Sequence, residues 1–150
     1  MGKKGQIPAE ADREPRAQYA ALPWRARADG EVEVLLITSR ETRRWVIPKG
    51  WPMKGLKSPK CAAREAFEEA GVKGLISSKK LGVYHYDKRL ASGRTQHVRV
   101  TVYPLLVQTE AEAWPEKGQR DLRWATIAEA WPLVDEPELQ ALIAKFAPAV

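Results

Sequence analysis

Glu65, Glu68 and Glu69 stand three and four residues apart, the separations at which side chains on an α-helix become neighbours. Advancing about 100° per residue from Glu65 puts Glu68 and Glu69 at roughly 300° and 40°, so the three carboxylates share one face. Ala63, Ala66, Phe67 and Ala70 fall opposite them as an apolar stripe, the side expected to be buried. Like charges at these spacings repel by about a few tenths of a kcal/mol per pair, so a nearby cation is their natural complement. Hard divalent ions such as Mg²⁺ or Mn²⁺ take oxygen ligands and are readily shared between carboxylates and phosphates. By spacing alone the face reads first as a solvated acidic surface, partly paired with Arg64 or Lys73.

A helix must carry these residues, and its limits are written locally. Ser58-Pro59 supplies an N-cap and a proline at the first helical position, and Gly71 after Ala70 supplies a left-handed C-cap. Ahead of it, Gln18–Arg27 and Glu31–Ser39 are expected as two strands joined by a hairpin at Asp29-Gly30. The second of these turns continuously apolar through Leu35-Leu36-Ile37, as a strand covered on both faces should. Trp45-Val46-Ile47 is a short strand ended by Pro48, and 49–57 is expected to be a loop. Leu81–Lys88 and Gln96–Gln108 follow as strands around a basic loop; Arg120–Ala125 is a strand after an acidic loop, Glu110–Gln119. Thr126–Trp131 and Pro137–Phe146 are helices. Strands, helix, strands, helix is the order of a mixed α/β (α+β) layer fold rather than a doubly wound one.

The chain of 150 residues suits one domain, expected over 18–150 behind a flexible arm at 1–17 whose Lys3, Lys4 and Arg16 could touch phosphate. A net charge of +6 favours anionic partners without choosing among them. One cysteine, Cys61, excludes an internal disulfide and a cysteine-based zinc site. No secretory leader or membrane-spanning run is evident, so the expectation is a cytoplasmic protein with no membrane partner.

Gly50, thirteen intervening positions, and the run Arg64-Glu65-Ala66-Phe67-Glu68-Glu69-Ala70-Gly71-Val72 resemble the Nudix box. Trp45-Val46-Ile47-Pro48-Lys49 before it and Arg123-Trp124 late in the chain extend the resemblance over most of 18–146. The resemblance implies a mixed β-sheet sandwiched between helices, a loop-helix-loop catalytic motif, and pyrophosphohydrolase activity with Mg²⁺ or Mn²⁺. It implies that Glu65, Glu68 and Glu69 hold metal, with the Lys49 carbonyl facing it, and that Gly50 makes the tight turn. Arg64 would orient the carboxylates through charge-assisted hydrogen bonds. The chemistry implied is in-line attack of water on phosphorus with divalent-ion support. Leu56 stands where the family usually carries another glutamate; it can neither bind metal nor accept a hydrogen bond, which leaves the number of ions open. The base is not set by the box, and Glu116, with Glu112 behind it, is the candidate in the acidic loop.

Arg40, Arg44, Lys49, Gly50, Arg89, Arg94 and His97 are the candidate substrate contacts, because converging cations suit a ligand with many phosphates. Ser39-Arg40, Trp114 and Arg123-Trp124 look like the branch acting on diphosphoinositol polyphosphates and dinucleoside polyphosphates. The substrate expected is therefore a phosphorylated small molecule of one of those two kinds. Two other readings stay open: an RNA 5′-pyrophosphohydrolase, and a non-catalytic nucleotide- or nucleic-acid-binding domain. The first predicts release of pyrophosphate from triphosphorylated ends. The second predicts binding without metal-dependent turnover, weakened steeply by salt. Nucleic acid is the less favoured partner, since aromatics amount to 8% and are scattered.

Overall fold

A computed structural model of the chain describes residues 15–149. Most of the arm expected at 1–17, with Lys3 and Lys4, lies outside the described residues; Arg16 and Ala17 already belong to the first strand. The strands are β1 (Arg16–Ala26), β2 (Val32–Thr38), β3 (Trp45–Val46), β4 (Lys49–Gly50), β5 (Val72–Ile76), β6 (Gly82–Arg89), β7 (Thr95–Glu110) and β8 (Leu122–Thr126). The helices are α1 (Ser58–Ala70), α2 (Ile127–Ala130), a 3₁₀ turn at Trp131–Leu133, and α3 (Pro137–Ala144). No helix among the described residues is long and apolar enough to cross a membrane.

All eight strands join one mixed sheet with β3-β2-β1-β7-β5 as its spine. β1 and β7 run parallel from Arg16 opposite Val98 to Trp24 opposite Leu106. Every other pair is antiparallel, with β6 and β5 dividing the far edge of β7 between them. β1 and β2 pair only over Trp24–Ala26 with Val32–Val34. Beyond that they part, and 45–50 fills the wedge, β3 pairing with β2 and β4 with β1. The Ala21 N–H closes the wedge by donating to the Pro48 carbonyl at 3.1 Å. The region expected as a loop after Pro48 thus begins with two ladder residues.

The continuous apolar run of β2 has the reason expected of it: both faces of the sheet are covered. Val34 and Leu36 pack with Leu22, Val100, Leu139 and Ile143 beneath α2 and α3, whereas Leu35 and Ile37 pack with Ala62, Ala66, Ala70 and Leu105 beneath α1. The mixed α/β layer fold is the one expected, a sheet between helices.

Three local readings differ from the structure. α1 includes Ser58, and Lys57 is its N-cap, with no side-chain cap bond. The buried stripe of α1 is Cys61, Ala62, Ala66 and Ala70; Ala63 and Phe67 are only half-buried, and Phe67 carries the Lys73 ammonium 4.6 Å from its ring centre. β5 was not expected at all. It follows Gly71 directly and contains a register shift at Lys73/Gly74, where a Cβ on Gly74 would lie 1.8 Å from the Leu106 carbonyl oxygen. The C-cap is as expected: Gly71 is left-handed (φ 71°), its N–H donates to the Phe67 carbonyl, and the Trp114 ring packs where a side chain would be.

Candidate active site

A cleft of about 560 Å³ opens where Lys49, Gly50 and Trp51 leave the wedge. Glu65 and Glu69 enter it from α1, and Glu116 and Arg120 from the segment before β8. Arg40 and Arg44 come from the turn after β2, Gln18 from β1, and Tyr86, Lys88 and Arg89 from β6.

The phase of the helix explains the carboxylates. Because 62, 66 and 70 face the sheet, Glu69 borders the buried stripe and is only 8% exposed. Two groups compensate this buried acid. The Lys49 N–H donates to its Oε1 at 3.3 Å, and the Arg120 guanidinium lies 3.6 Å from its Oε2. Burial raises the Glu69 pKa, against the opposing pull of Arg120 and Lys49. Glu65 is pushed up to about 8 by burial, then by the charges of Glu69 and Glu68 and by its hydrogen bond with Glu69. Glu65 also reaches toward the backbone of Gly50, where a Cβ would lie 2.1 Å from its Oε2. Gly50 is thus a ladder residue of β4 rather than the tight turn that the box implies, and the absence of a side chain there makes room for the Glu65 carboxylate.

Arg120 organises the other wall. Its Nε donates to Glu116 Oε1 at 3.0 Å, a second nitrogen lies 2.9 Å from the same oxygen, and a third donates to the Thr38 carbonyl at 3.1 Å. The Glu116 N–H in turn donates to the Glu68 carbonyl at 3.0 Å, tying the acidic loop to α1. Burial lowers the Lys49 ammonium to about 8, partly offset by Glu69, and its Nζ lies 5.1 Å from the Tyr86 ring centre. Arg44 lines the cleft and pairs with Glu136, the N-cap of α3, at 2.7 Å.

Several expected site residues stand elsewhere. Arg64 is exposed and, among the described residues, makes no hydrogen bond or ion pair with the helix carboxylates; Arg120 performs the neutralising contact instead. Glu68 is half-buried and is not part of the cleft wall, since the helix turns it aside from the line of Glu65 and Glu69. The contact that Lys49 makes with the carboxylates is through its N–H, which donates to Glu69. Arg94 and His97 lie off the cleft: both are exposed, and His97 alternates away from the buried Gln96 and Val98 to pair with Asp87. Glu112 is exposed, with its carbonyl bonded by the Lys117 ammonium. Arg40, Arg44, Lys49, Gly50, Arg89 and Glu116 do line the cleft. Arg120 was missed; the signal available was its four-residue spacing from Glu116.

Among the described residues no group of three or more His, Cys, Asp or Glu side chains is disposed to hold a metal ion. Glu65 and Glu69 still suit a hard divalent cation chemically: two adjoining carboxylates in a cleft repel each other and present oxygen donors. Mg²⁺ commonly uses one or two carboxylates, completing its shell with water and phosphate oxygens.

A family model described as NUDIX domain matches residues 16–147. Nudix hydrolase 12, mitochondrial, of Arabidopsis thaliana is 32% identical over 119 residues, which are 77% of this chain and 59% of that protein. Diphosphoinositol polyphosphate phosphohydrolase 2 of Rattus norvegicus is 34% identical over 107 residues, 69% of this chain and 55% of that protein. The chain spans about three fifths of the length of the curated relatives it matches. The crystal structure of the C. elegans Ap4A hydrolase shares the fold, with a TM-score of 0.62 at 22% identity over 89% of this chain and 96% of that one.

Proposed function

The chain belongs to the Nudix family, and from that premise we propose that it hydrolyses a phosphoanhydride bond in a highly phosphorylated small molecule, a dinucleoside polyphosphate or a diphosphoinositol polyphosphate, with Mg²⁺ or Mn²⁺. The observation that carries this reading is the cleft itself: Glu65 and Glu69 face a wall bearing Arg40, Arg44, Lys88 and Arg89. Arginine grips phosphate bidentately, so the wall suits several phosphates in a row.

Glu65 and Glu69 are the residues that would hold the divalent ion, which when bound neutralises phosphate charge and assists the leaving oxygen. Arg120 and the Lys49 N–H keep Glu69 in place, and Gly50 leaves room for Glu65. Arg40 and Arg89 align the phosphate chain so that the bond to be cut lies in line with the attacking water. Glu116 accepts the proton of that water. Arg120 engages its Oε1, which leaves Oε2 for the proton.

The test is a substrate panel with each ion in turn, covering a diadenosine polyphosphate, a diphosphoinositol polyphosphate, ADP-ribose and triphosphorylated RNA. Turnover of either of the first two, removed by chelation and reduced roughly a hundred- to a thousand-fold in Glu69→Gln, is the expected result. Preference for ADP-ribose, or full activity in Glu69→Gln, would sink the reading.

A further inference from the structure

Glu136 is a poor choice for the place it occupies. It is the N-cap of α3, a position that favours Ser, Thr, Asp or Asn, and its side chain makes no capping bond. The carboxylate turns instead to Arg44 on the cleft wall, 2.7 Å from Nη1, with its side chain only 11% exposed. Asp135 stands farther off at 3.9 Å and is exposed. The segment before α3 is pinned on two sides: Trp45, next to Arg44, bridges Val134, and the Gln140 side chain donates to the Val134 carbonyl at 2.8 Å. Arg44 Nη1 and Glu136 Oε1 are both enclosed without an aligned hydrogen bond, so the contact is one of charge shut away from water. Enclosed ionic groups that are incompletely satisfied cost stability and call for a reason beyond it.

A carboxylate behind a phosphate-binding wall has two opposed effects. Its charge offsets that of Arg44 and weakens the hold on an anion. Its contact also fixes one arm of the guanidinium, and a fork fixed before binding strengthens that hold. The turn that carries Arg44 is built for fixing. The Ser39 N–H donates to the Arg44 carbonyl at 2.8 Å, and the Arg44 N–H donates to Ser39 Oγ at 3.3 Å. Arg43 between them is left-handed (φ 58°), a strained conformation for arginine, and its guanidinium is held by Asp121 at 2.9 Å. Nε and Nη2 of Arg44 make no hydrogen bond among the described residues and are not enclosed, so this edge of the fork is left for a ligand.

We propose that Glu136, from outside the cleft lining, is a positioning residue for substrate phosphate: it holds Arg44 by Nη1 so that the Nε–Nη2 edge meets the phosphate chain already oriented. This role rests on the hydrolase reading, in which Arg44 meets phosphate.

Inorganic tripolyphosphate, titrated into the full chain by calorimetry without divalent ion, reads the hold on phosphate apart from turnover. Glu136→Gln removes a negative charge, so charge alone gives tighter binding. Loss of orientation gives binding about three- to ten-fold weaker, and that is the expected result. Glu136→Asp keeps the charge but draws the contact back by one methylene, and should fall between Glu136→Gln and wild type. In an Arg44→Gln background, Glu136→Gln should change binding no further, because the carboxylate then has nothing to aim. Thermal melts establish which variants fold; if Glu136→Gln does not, Glu136→Asp carries the comparison. With whichever polyphosphate is turned over, KM should rise by a similar factor and kcat change less. Binding that tightens or stays level in the folded variants overturns the role, as does weakening that is equal with and without Arg44. Wild type that does not bind tripolyphosphate overturns the role and the cationic wall together. Glu136-dependent binding without turnover of any polyphosphate upholds the role and overturns the hydrolase reading alone.

Discussion

Gly50 and Glu65 meet more closely than any residue with a side chain at position 50 would allow. The atom in the way of a Cβ is a flexible carboxylate end rather than backbone, so Gly50→Ala should displace Glu65 and spare the fold. Displacement of about 1 Å in a catalytic group costs roughly a hundred-fold in rate. The expected outcome is that loss in kcat with a thermal midpoint close to wild type, read from parallel kinetics and melts. A large drop in midpoint would mean that the backbone, not the carboxylate, has yielded. Of the chemistry, Gly50, Glu65 and Glu69 were legible through the box that they resemble, since helical spacing alone left the acidic face open to a solvated reading. Arg120 had only its spacing from Glu116 to mark it; its other partners, Thr38 and Glu69, are brought to it by the pairing of β2 with β8 and by the seating of α1.

At the scale of elements, α2 shows how a very short helix is secured. Thr126 accepts from the Glu129 N–H at 3.3 Å, and Glu129 accepts from the Thr126 N–H at 2.9 Å, a reciprocal capping box. Thr126→Ala should cost about 1 kcal/mol by thermal or denaturant unfolding. The bonds to Thr126 hold the Glu129 carboxyl below its ordinary value of 4.5. Its contribution is therefore complete above that unfolded value and is lost as pH falls through the lower folded one. The difference in midpoint between wild type and Glu129→Ala should be present at neutral pH and fade in that acid window; a gap that widens on acidification would contradict the assignment. Caps, turn residues and hydrophobic alternation made the hairpin at Asp29-Gly30, α1, β6, β7 and both late helices readable in advance. β4 and β5 were unreadable for a physical reason. One is two residues long and the other has a glycine at its centre, so their strand character comes from partners in β1 and β7 rather than from propensity. The phase of α1 also needed the sheet: a wheel with four alanine positions, at 62, 63, 66 and 70, cannot decide which of them turn inward.

For the whole molecule, the excess of six positive charges acts at longer range than any single contact. Arg40, Arg44, Lys88 and Arg89 bring part of it to the lining of the cleft, beside the acidic Glu41 and Asp87. Capture of a polyanion should then weaken as the screening length shrinks from about 10 Å at 0.1 M salt to about 3 Å at 1 M. KM for the proposed polyphosphate substrate should rise over that range, with kcat changing less; a KM indifferent to salt would argue against the cationic wall as the phosphate contact. The sheet has a temporal consequence as well. Arg16 pairs with Val98 and Trp24 with Leu106, so the central parallel ladder joins segments more than eighty residues apart. At synthesis rates of about 5–20 residues per second, β1 waits several seconds on the ribosome before its partner exists. Gln18 sits on that waiting strand, and Glu69 and Tyr86 are made before β7 is complete. Competence to bind therefore arrives as a late, all-at-once event in the life of each molecule, when the β1–β7 ladder closes.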